Sequence, residues 1–272
     1  MSTFEVKTQA EIDALSLGAG AKGRAYFNDT TSSIVAWDGA NWRGYASDGI
    51  INSFPSNSYS VELDGTNDYI DTNSKFDFIQ QTCNFSITFW LKLIDHTSTA
   101  ANQFLVMSSN GGTDVGLMFW YDNRSSAKQL RFKLNMLGNS IDISNGITDN
   151  NWHHIALTCA NGGDQKIYRD GSVIGSASTP SPSTSTATHN LLLGAAFSTG
   201  TSNITNPMNG YLDEVAIFNR ELTLAEIDNI INNKKYLTFF SMYRFENNAD
   251  DENGVNDGTN HNATFETSEK PY

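Results

Sequence analysis

Two stretches of the chain alternate apolar and polar residues with a period of two. In NFSITFWLK, Phe85, Ile87, Phe89 and Leu91 fall on one side and Ser86, Thr88 and Trp90 on the other. In LRFKLNM, Leu130, Phe132, Leu134 and Met136 oppose Arg131, Lys133 and Asn135. Successive side chains of an extended strand point to opposite faces, so this pattern predicts half-buried antiparallel strands. Many such runs separated by turn clusters predict a sandwich. The stretch from Asn151 to Ile174, NWHHIALTCANGGDQKIYRDGSVI, adds a meander of three short strands. Ile155, Leu157 and Cys159 alternate, a Gly/Asn/Asp break follows at Asn161–Asp164, and Asp170-Gly171 suits a tight hairpin whose central residues take positive φ.

Helical signals are few. Thr8-Gln-Ala-Glu11 is a capping-box pattern, and Ala10, Ile12, Ala14 and Leu15 can carry a short helix that stops at Gly18. Thr223-Leu-Ala-Glu226 is a second, predicting a helix with Leu224, Ile227, Ile230 and Ile231 on one side, after a strand from about Tyr211 to Phe218. Between the first helix and residue 50, Arg24–Phe27 and Ile34–Trp37 read as strands, with Trp42 following a turn at Asp38-Gly39. This piece is too small to build its own core and needs a neighbour or an oligomer. The pattern divides the chain into a helix-plus-hairpin attachment module at 1–50, a turn-rich linker at 51–58, a sandwich at 59–238 and a C-terminal strand segment at 239–272. Ser176–Asn190, rich in Ser, Thr and Pro, reads as a long polar loop.

Four motifs in one order carry a family resemblance: LDGTNDYI at 63–70, WHHIA at 152–156, YRDG at 168–171 and NGYLDEVAIFNRELTLAEI at 209–227. Together they resemble laminin-G-like, or concanavalin A-like, jelly rolls, which implies an all-β fold of two antiparallel sheets. Gly23 to Trp42 resembles a hairpin module found near the ends of bacteriophage tail and virion proteins; an ordinary β-meander whose tryptophans fill a small core is the alternative. Residues 239–265, FFSMYRFENNADDENGVNDGTNHNATF, resemble the opening of a laminin-G-like domain although they follow its closing helix. Domain termini commonly lie close together, which makes such a rearrangement structurally cheap. Phe240–Phe245 is therefore expected to supply a missing edge strand, in its own subunit or swapped into a neighbour. The turn Asp250–Asp257 is expected near Asp64–Asp68.

Composition narrows the chemistry. The chain has 272 residues, 17 Lys and Arg against 30 Asp and Glu, and a formal charge of −13. Its cations are scattered, whereas a nucleic-acid groove concentrates them, so nucleic acid is not an expected partner. There is no apolar run long enough for a membrane span and no basic-then-apolar leader. Cys83 and Cys159 are too few for a disulfide framework; reduced thiols are expected, with a single bridge left open. The glucanase arrangement E-[ILV]-D-x-E has two near matches, Glu11-Ile-Asp13 and Glu226-Ile-Asp228. Both lack the second glutamate and both fall on predicted helices, where that spacing scatters the carboxylates. With no G-x-S-x-G elbow either, no enzyme is expected. His153 and His154 point to opposite strand faces and cannot chelate one ion. Calcium is the credible metal: the resemblance implies Asp64, Asn67, Asp68 and Asp213 as its ligands, against the reading that they are turn and strand-end residues with no ion. A sugar platform of Trp120, Tyr121, Asp122 and Asn123 is the candidate glycan site, although alternation leaves open which side of GLMFWY faces solvent.

The expectation for function is a virion surface protein of a tailed phage, a capsid decoration or tail fibre assembled in the host cytoplasm. It would display a lectin-like jelly roll that binds a cell-surface glycan. Trp37 and Trp42 of the small module would attach it to other virion proteins in a homo-oligomer, a trimer by analogy with fibres. The alternative is a secreted bacterial adhesin or an accessory module of a polysaccharide-degrading system.

Overall fold

The computed structural model describes residues 5–7, 25–28, 33–37, 42–46, 50–51, 57–97, 102–108, 116–122, 128–135, 140–197, 203–234, 236–237 and 239–272. The chain divides into two compact units, one of residues 1–56 and 228–238, the other of residues 57–227 and 239–272.

The smaller unit holds one sheet. Its strands are β1 (Glu5–Lys7), β2 (Ala25–Asn28), β3 (Ser33–Trp37), β4 (Trp42–Ala46) and β5 (Ile50–Ile51), joined by a late strand at Tyr236–Leu237 that pairs with β5. The β3–β4 register sets Trp37 directly opposite Trp42. Ile50–Ile51, at the start of the expected linker, is thus a paired strand. The helix expected at 8–18 lies outside the described residues.

The larger unit is a sandwich. It runs through β6 (Ser60–Asp64), β7 (Tyr69–Asp71), helix α1 (Phe78–Thr82), β8 (Phe85–Leu93), β9 (Asn102–Ser108), β10 (Gly116–Asp122), β11 (Gln129–Leu134) and β12 (Ile141–Ser144). The meander follows as β13 (His153–Cys159), β14 (Asp164–Arg169) and β15 (Ser172–Ser178). Then come β16 (Leu192–Leu193), the short pair β17 (Ala196–Phe197) and β18 (Ile204–Thr205), β19 (Asn209–Phe218) and helix α2 (Leu224–Asn233), within which the two units divide. The strand at Tyr236–Leu237 is β20; β21 (Ser241–Tyr243), β22 (Thr259–His261) and β23 (Thr264–Glu266) end the chain. One sheet has the order β12-β11-β10-β9-β16-β7-β22; the other has β15-β14-β13-β8-β19-β6-β23, with β21 also pairing β19. This is the two-sheet antiparallel jelly roll that the alternation predicts.

The core lies between the sheets. Phe85, Ile87, Phe89 and Leu91 of β8, with Ile155 and Leu157 of β13, meet Leu117, Phe119 and Tyr121 of β10 and Leu130, Phe132 and Leu134 of β11. The rings of Phe89 and Phe119 meet edge to face at 5.8 Å between centroids. At the β14–β15 hairpin, Asp170 and Gly171 take φ of 51° and 79°, the left-handed pair that a two-residue turn demands. Gly194 has φ +92°, and a Cβ there would come within 2.4 Å of Leu63 Cδ1. That absent side chain lets the chain between β16 and β17 settle on the core.

The C-terminal segment is woven into the sandwich of its own chain. β21 pairs residues Val215–Ile217 of β19, β22 pairs β7, and β23 pairs β6. Phe239, Met242, Tyr243 and Phe245 are buried. Within the Phe240–Phe245 stretch, β21 pairs one strand only, β19, in its own chain, while β22 and β23 each add a further edge strand to one of the two sheets. The Asp250–Asp257 turn sits beyond the Asp71 end of β7, where Asn73 Nδ2 donates to Asp257 O (2.8 Å) and Tyr243 Oη donates to Asn256 O (2.8 Å). It does not adjoin Asp64–Asp68, because β22 runs antiparallel to β7 and so delivers the preceding turn to β7's other end.

Other expectations are refined. The Thr223 box closes in both directions: Glu226 Oε2 accepts the Thr223 amide (2.7 Å) and Thr223 Oγ1 accepts the Glu226 amide (3.3 Å). Leu224 is exposed, however, and Leu222 and Ile227 take the buried places. Cys83 and Cys159 are both buried free thiols, and burial pushes the Cys159 thiol up to about 12.

Candidate functional site

The two sheets differ in what they do with their outer faces. On β8, β13 and β19 the residues turned away from the core are buried as well: Ser86, Thr88, Trp90, His154, Ala156, Thr158, Asp213 and Ala216. Leu222 covers part of this face, its amide donating to Ser86 Oγ at 2.8 Å, and Tyr272 packs edge-on against Trp90. The central stretch of this sheet is therefore buried on both sides, where alternation suggests half-burial, while Glu62, Lys92, Lys166 and Tyr211 on the same outer face stay half-buried. On the sheet of β10, β11 and β7, the outward residues Tyr69, Asp71, Met118, Arg131 and Lys133 are half-buried, and Asp142, Ser144 and Thr259 are exposed. This second outer face is open in part, since Trp120, Asp122 and Leu192, which also point outward, are buried.

Its register sets a row of polar and aromatic side chains across the sheet. Asp142 of β12 lies opposite Arg131 of β11, which lies opposite Trp120 of β10. At the other edge His261 of β22 lies opposite Tyr69 of β7. β7 and β10 are three strand spacings apart, roughly 14 Å. Arg131 binds Asp142 through two bonds, Nε–Oδ1 at 2.8 Å and Nη2–Oδ2 at 3.1 Å, and its Nη1 lies 3.5 Å from Asp122 Oδ2. The hydrogen bond to Asp142 raises the guanidinium's pKa further. The same guanidinium sits over the Trp120 ring at 5.0 Å. At the far edge Tyr69 and His261 stack at 4.2 Å, Phe197 meets Tyr69 edge-on at 6.3 Å, and His189 lies 4.8 Å from Phe197. Asn190 Nδ2 donates to Asp71 Oδ1 beside them (3.0 Å).

The expected sugar platform is split by the pleat. Trp120 and Asp122 face outward, but Trp120 is only 8% exposed beneath Arg131 and offers no bare ring face. Tyr121 points into the core, its hydroxyl donating to Ile147 O at 3.1 Å. Asn123 lies outside the described residues. The half-exposed aromatics are instead Tyr69, His261, Phe197 and His189, which sequence reasoning passed over. The alternation of Tyr69 and Asp71 about the core residue Ile70 was the signal available for two of them.

The four expected calcium ligands do not converge. Asp64, Asn67 and Asp68 share the turn between β6 and β7, where Asp64 Oδ1 accepts the Thr66 amide (2.7 Å) and Asp68 Oδ2 accepts the Asp64 amide (3.0 Å). Asp64 lies opposite Asn209, so Asp213 is four residues further along β19, about 13 Å away. Asp213 is wholly buried and accepts from Asn57 Nδ2 (2.7 Å). Burial, then the neighbouring Glu214, pushes its pKa well above the ordinary 3.8. The described residues hold no group of three or more His, Cys, Asp or Glu able to share an ion.

Two further clusters surround the sandwich. His153 Nδ1 lies 2.7 Å from Asp170 Oδ2 and its Nε2 lies 3.1 Å from Asp149 Oδ1. Hydrogen bonding to Asp170 raises the histidine's pKa, outweighing burial. His154 turns the other way, 5.2 Å from Trp90, so the pair acts structurally. At one end of the other sheet Trp152 and Tyr211 lie 6.1 Å apart, and Tyr211 Oη donates to Glu62 Oε1 (3.2 Å).

Two antiparallel sheets packed face to face over one core, with few helices, are the form of a concanavalin A-like jelly roll. The chain belongs to the concanavalin A-like lectin/glucanases superfamily, whose profile matches residues 64–228. Similar solved structures include a candidate carbohydrate-binding protein from Bacteroides ovatus (15% identity, 94% of this chain and 71% of that one, TM-score 0.54). Another is the CBM40 of the Ruminococcus gnavus IT-sialidase bound to α2,3-sialyllactose (14% identity, 64% and 96%, TM-score 0.51). A third is a heptameric SAP-like pentraxin from Limulus polyphemus (11% identity, 66% and 84%, TM-score 0.50). Comparison with curated proteins gives no match.

Proposed function

We propose that this chain is a non-catalytic, glycan-binding jelly roll displayed on the surface of a tailed-phage particle. The observation that carries the binding half is the inequality of the two outer faces. The first is buried along its central strands, while the second presents half-exposed aromatics at one edge together with carboxylates, an amide and a guanidinium. Such rings stack on the apolar faces of sugar rings, and the acids and amides take hydroxyl hydrogen bonds. A non-catalytic role is supported by Glu226, one of the two near-match carboxylates, whose oxygens serve the helix cap and an ion pair with Arg220 at 2.9 Å. The virion half rests on the resemblance of Gly23–Trp42 to phage hairpin modules and on Trp37 standing opposite Trp42 in that sheet. Residues 1–50 attach the jelly roll to other virion proteins as a homotrimer.

The test has two arms. Screening the pure full-length chain against immobilised glycans should give binding that Tyr69→Ala abolishes and no hydrolysis of any bound polymer. Antibody labelling of purified particles should decorate their surface.

A second reading is a secreted carbohydrate-binding adhesin or accessory module. Its support is an alignment over 65% of this chain with the whole of a domain that a sialidase carries as its CBM40. Binding without any particle labelling would favour it.

A further inference from the structure

Resting on the glycan-binding reading above, we infer that the face bearing Tyr69 and Arg131 takes a neutral glycan and rejects acidic ones, because its guanidinium is already paired with two carboxylates. A site for a sugar carboxylate or sulfate needs a cation with free donors aimed at the ligand. Arg131 commits Nε and Nη2 to Asp142 and turns Nη1 toward Asp122. Bidentate pairing of this kind is the strong form of the guanidinium–carboxylate contact, so a ligand anion would have to displace Asp142. Among the described outward-facing strand residues of this sheet, three carboxylates (Asp71, Asp122, Asp142) stand against two cations, Arg131 and Lys133. The chain as a whole carries −13, which repels anionic polymers at a distance.

The same arrangement suits hydroxyls. Each carboxylate oxygen has more than one acceptor direction, so Asp142 and Asp71 can hold their present partners and still accept from a sugar. A neutral sugar also asks for no ion pair to be broken, which spares the cost of leaving a charge unpaired.

The experiment is titration calorimetry of the full-length protein at low and high salt. The probes are neutral laminarihexaose, cellohexaose, xylohexaose and mannohexaose, and acidic α2,3-sialyllactose and hexagalacturonate. A second protein, Asp142→Asn, keeps the shape of the side chain but frees part of Arg131. The inference predicts that wild type binds at least one neutral probe, with little salt dependence, and binds both acidic probes at least about tenfold more weakly, a difference of about 1.4 kcal/mol. Asp142→Asn should shrink that ratio by strengthening the acidic probes. An acidic probe preferred by wild type, with affinity lost in Tyr69→Ala, overturns the inference and leaves the glycan-binding reading in place. An unchanged ratio in Asp142→Asn overturns it too, since Arg131 would then not be the discriminating group. Failure of every probe and of the immobilised glycan screen overturns the binding reading itself, and this inference with it.

Discussion

Cutting the chain after Thr238 should unfold the sandwich, although it leaves every motif between residues 63 and 227 intact. The segment removed buries Phe239, Met242, Tyr243 and Phe245, each at 7% exposure or less. Burying a side chain of this size contributes about 1.5–3 kcal/mol, so the four together supply roughly 6–12 kcal/mol. Domains of this kind are stable by only about 5–15 kcal/mol in total. The truncation also strips β22 from β7 and β23 from β6, exposing an unpaired edge on both sheets at once. The expected outcome is an insoluble or aggregated product, seen by light scattering, with loss of the cooperative denaturant transition. A graded version tests the same reasoning: Phe245→Ala should cost about 3–5 kcal/mol and lower the denaturation midpoint without changing the fold. A chain ending at residue 238 that stays soluble, in the full-length protein's oligomeric state and with its midpoint, would refute the argument.

Arg244 lies 3.5 Å from the buried Glu214 and 3.3 Å from Glu246, so Arg244→Leu leaves Glu214 without its cation and should cost about 3–5 kcal/mol by thermal denaturation. The His153 clamp should make stability depend on pH. Its folded pKa lies above the ordinary 6.5, so its contribution is complete below 6.5 and is lost as pH rises through the folded value. Burial works against the Asp170 carboxylate, but the His153 and His154 hydrogen bonds hold its pKa below the ordinary 3.8. Its contribution is therefore present above 3.8 and lost as pH falls through that depressed value. His153→Gln should flatten the alkaline limb of a melting-temperature profile; an unchanged limb would count against the clamp. Trp42→Ala should weaken oligomer assembly, measured by light scattering, more than it lowers the melting of the sandwich.

The sandwich was legible because strand alternation writes one buried face directly into the sequence, as Leu130, Phe132 and Leu134 do. Asp170-Gly171 and the Thr223–Glu226 box were legible because turn and cap chemistry is local. The second buried face of β8 was not, since Ser86, Thr88 and Trp90 look like solvent-facing residues until Leu222 and Tyr272 arrive from distant positions. The candidate site was read only in part for the same reason. Trp120 and Asp122 were found from one strand, but their partners Arg131 and Asp142 lie on two others, and the Tyr69–His261 stack joins residues 192 positions apart. Asp213 joined the expected calcium set through the family motif, and its distance from Asp64 shows only in the register of β6 on β19.

The account turns on which face of the sandwich holds a sugar. Titrating isotope-labelled protein with the best-bound neutral oligosaccharide and mapping the shifted NMR signals tests it directly. The account predicts shifts concentrated at Tyr69, His261, Trp120 and Arg131. Shifts confined to Trp152 and Tyr211 on the other sheet, or none at saturating sugar, would contradict it.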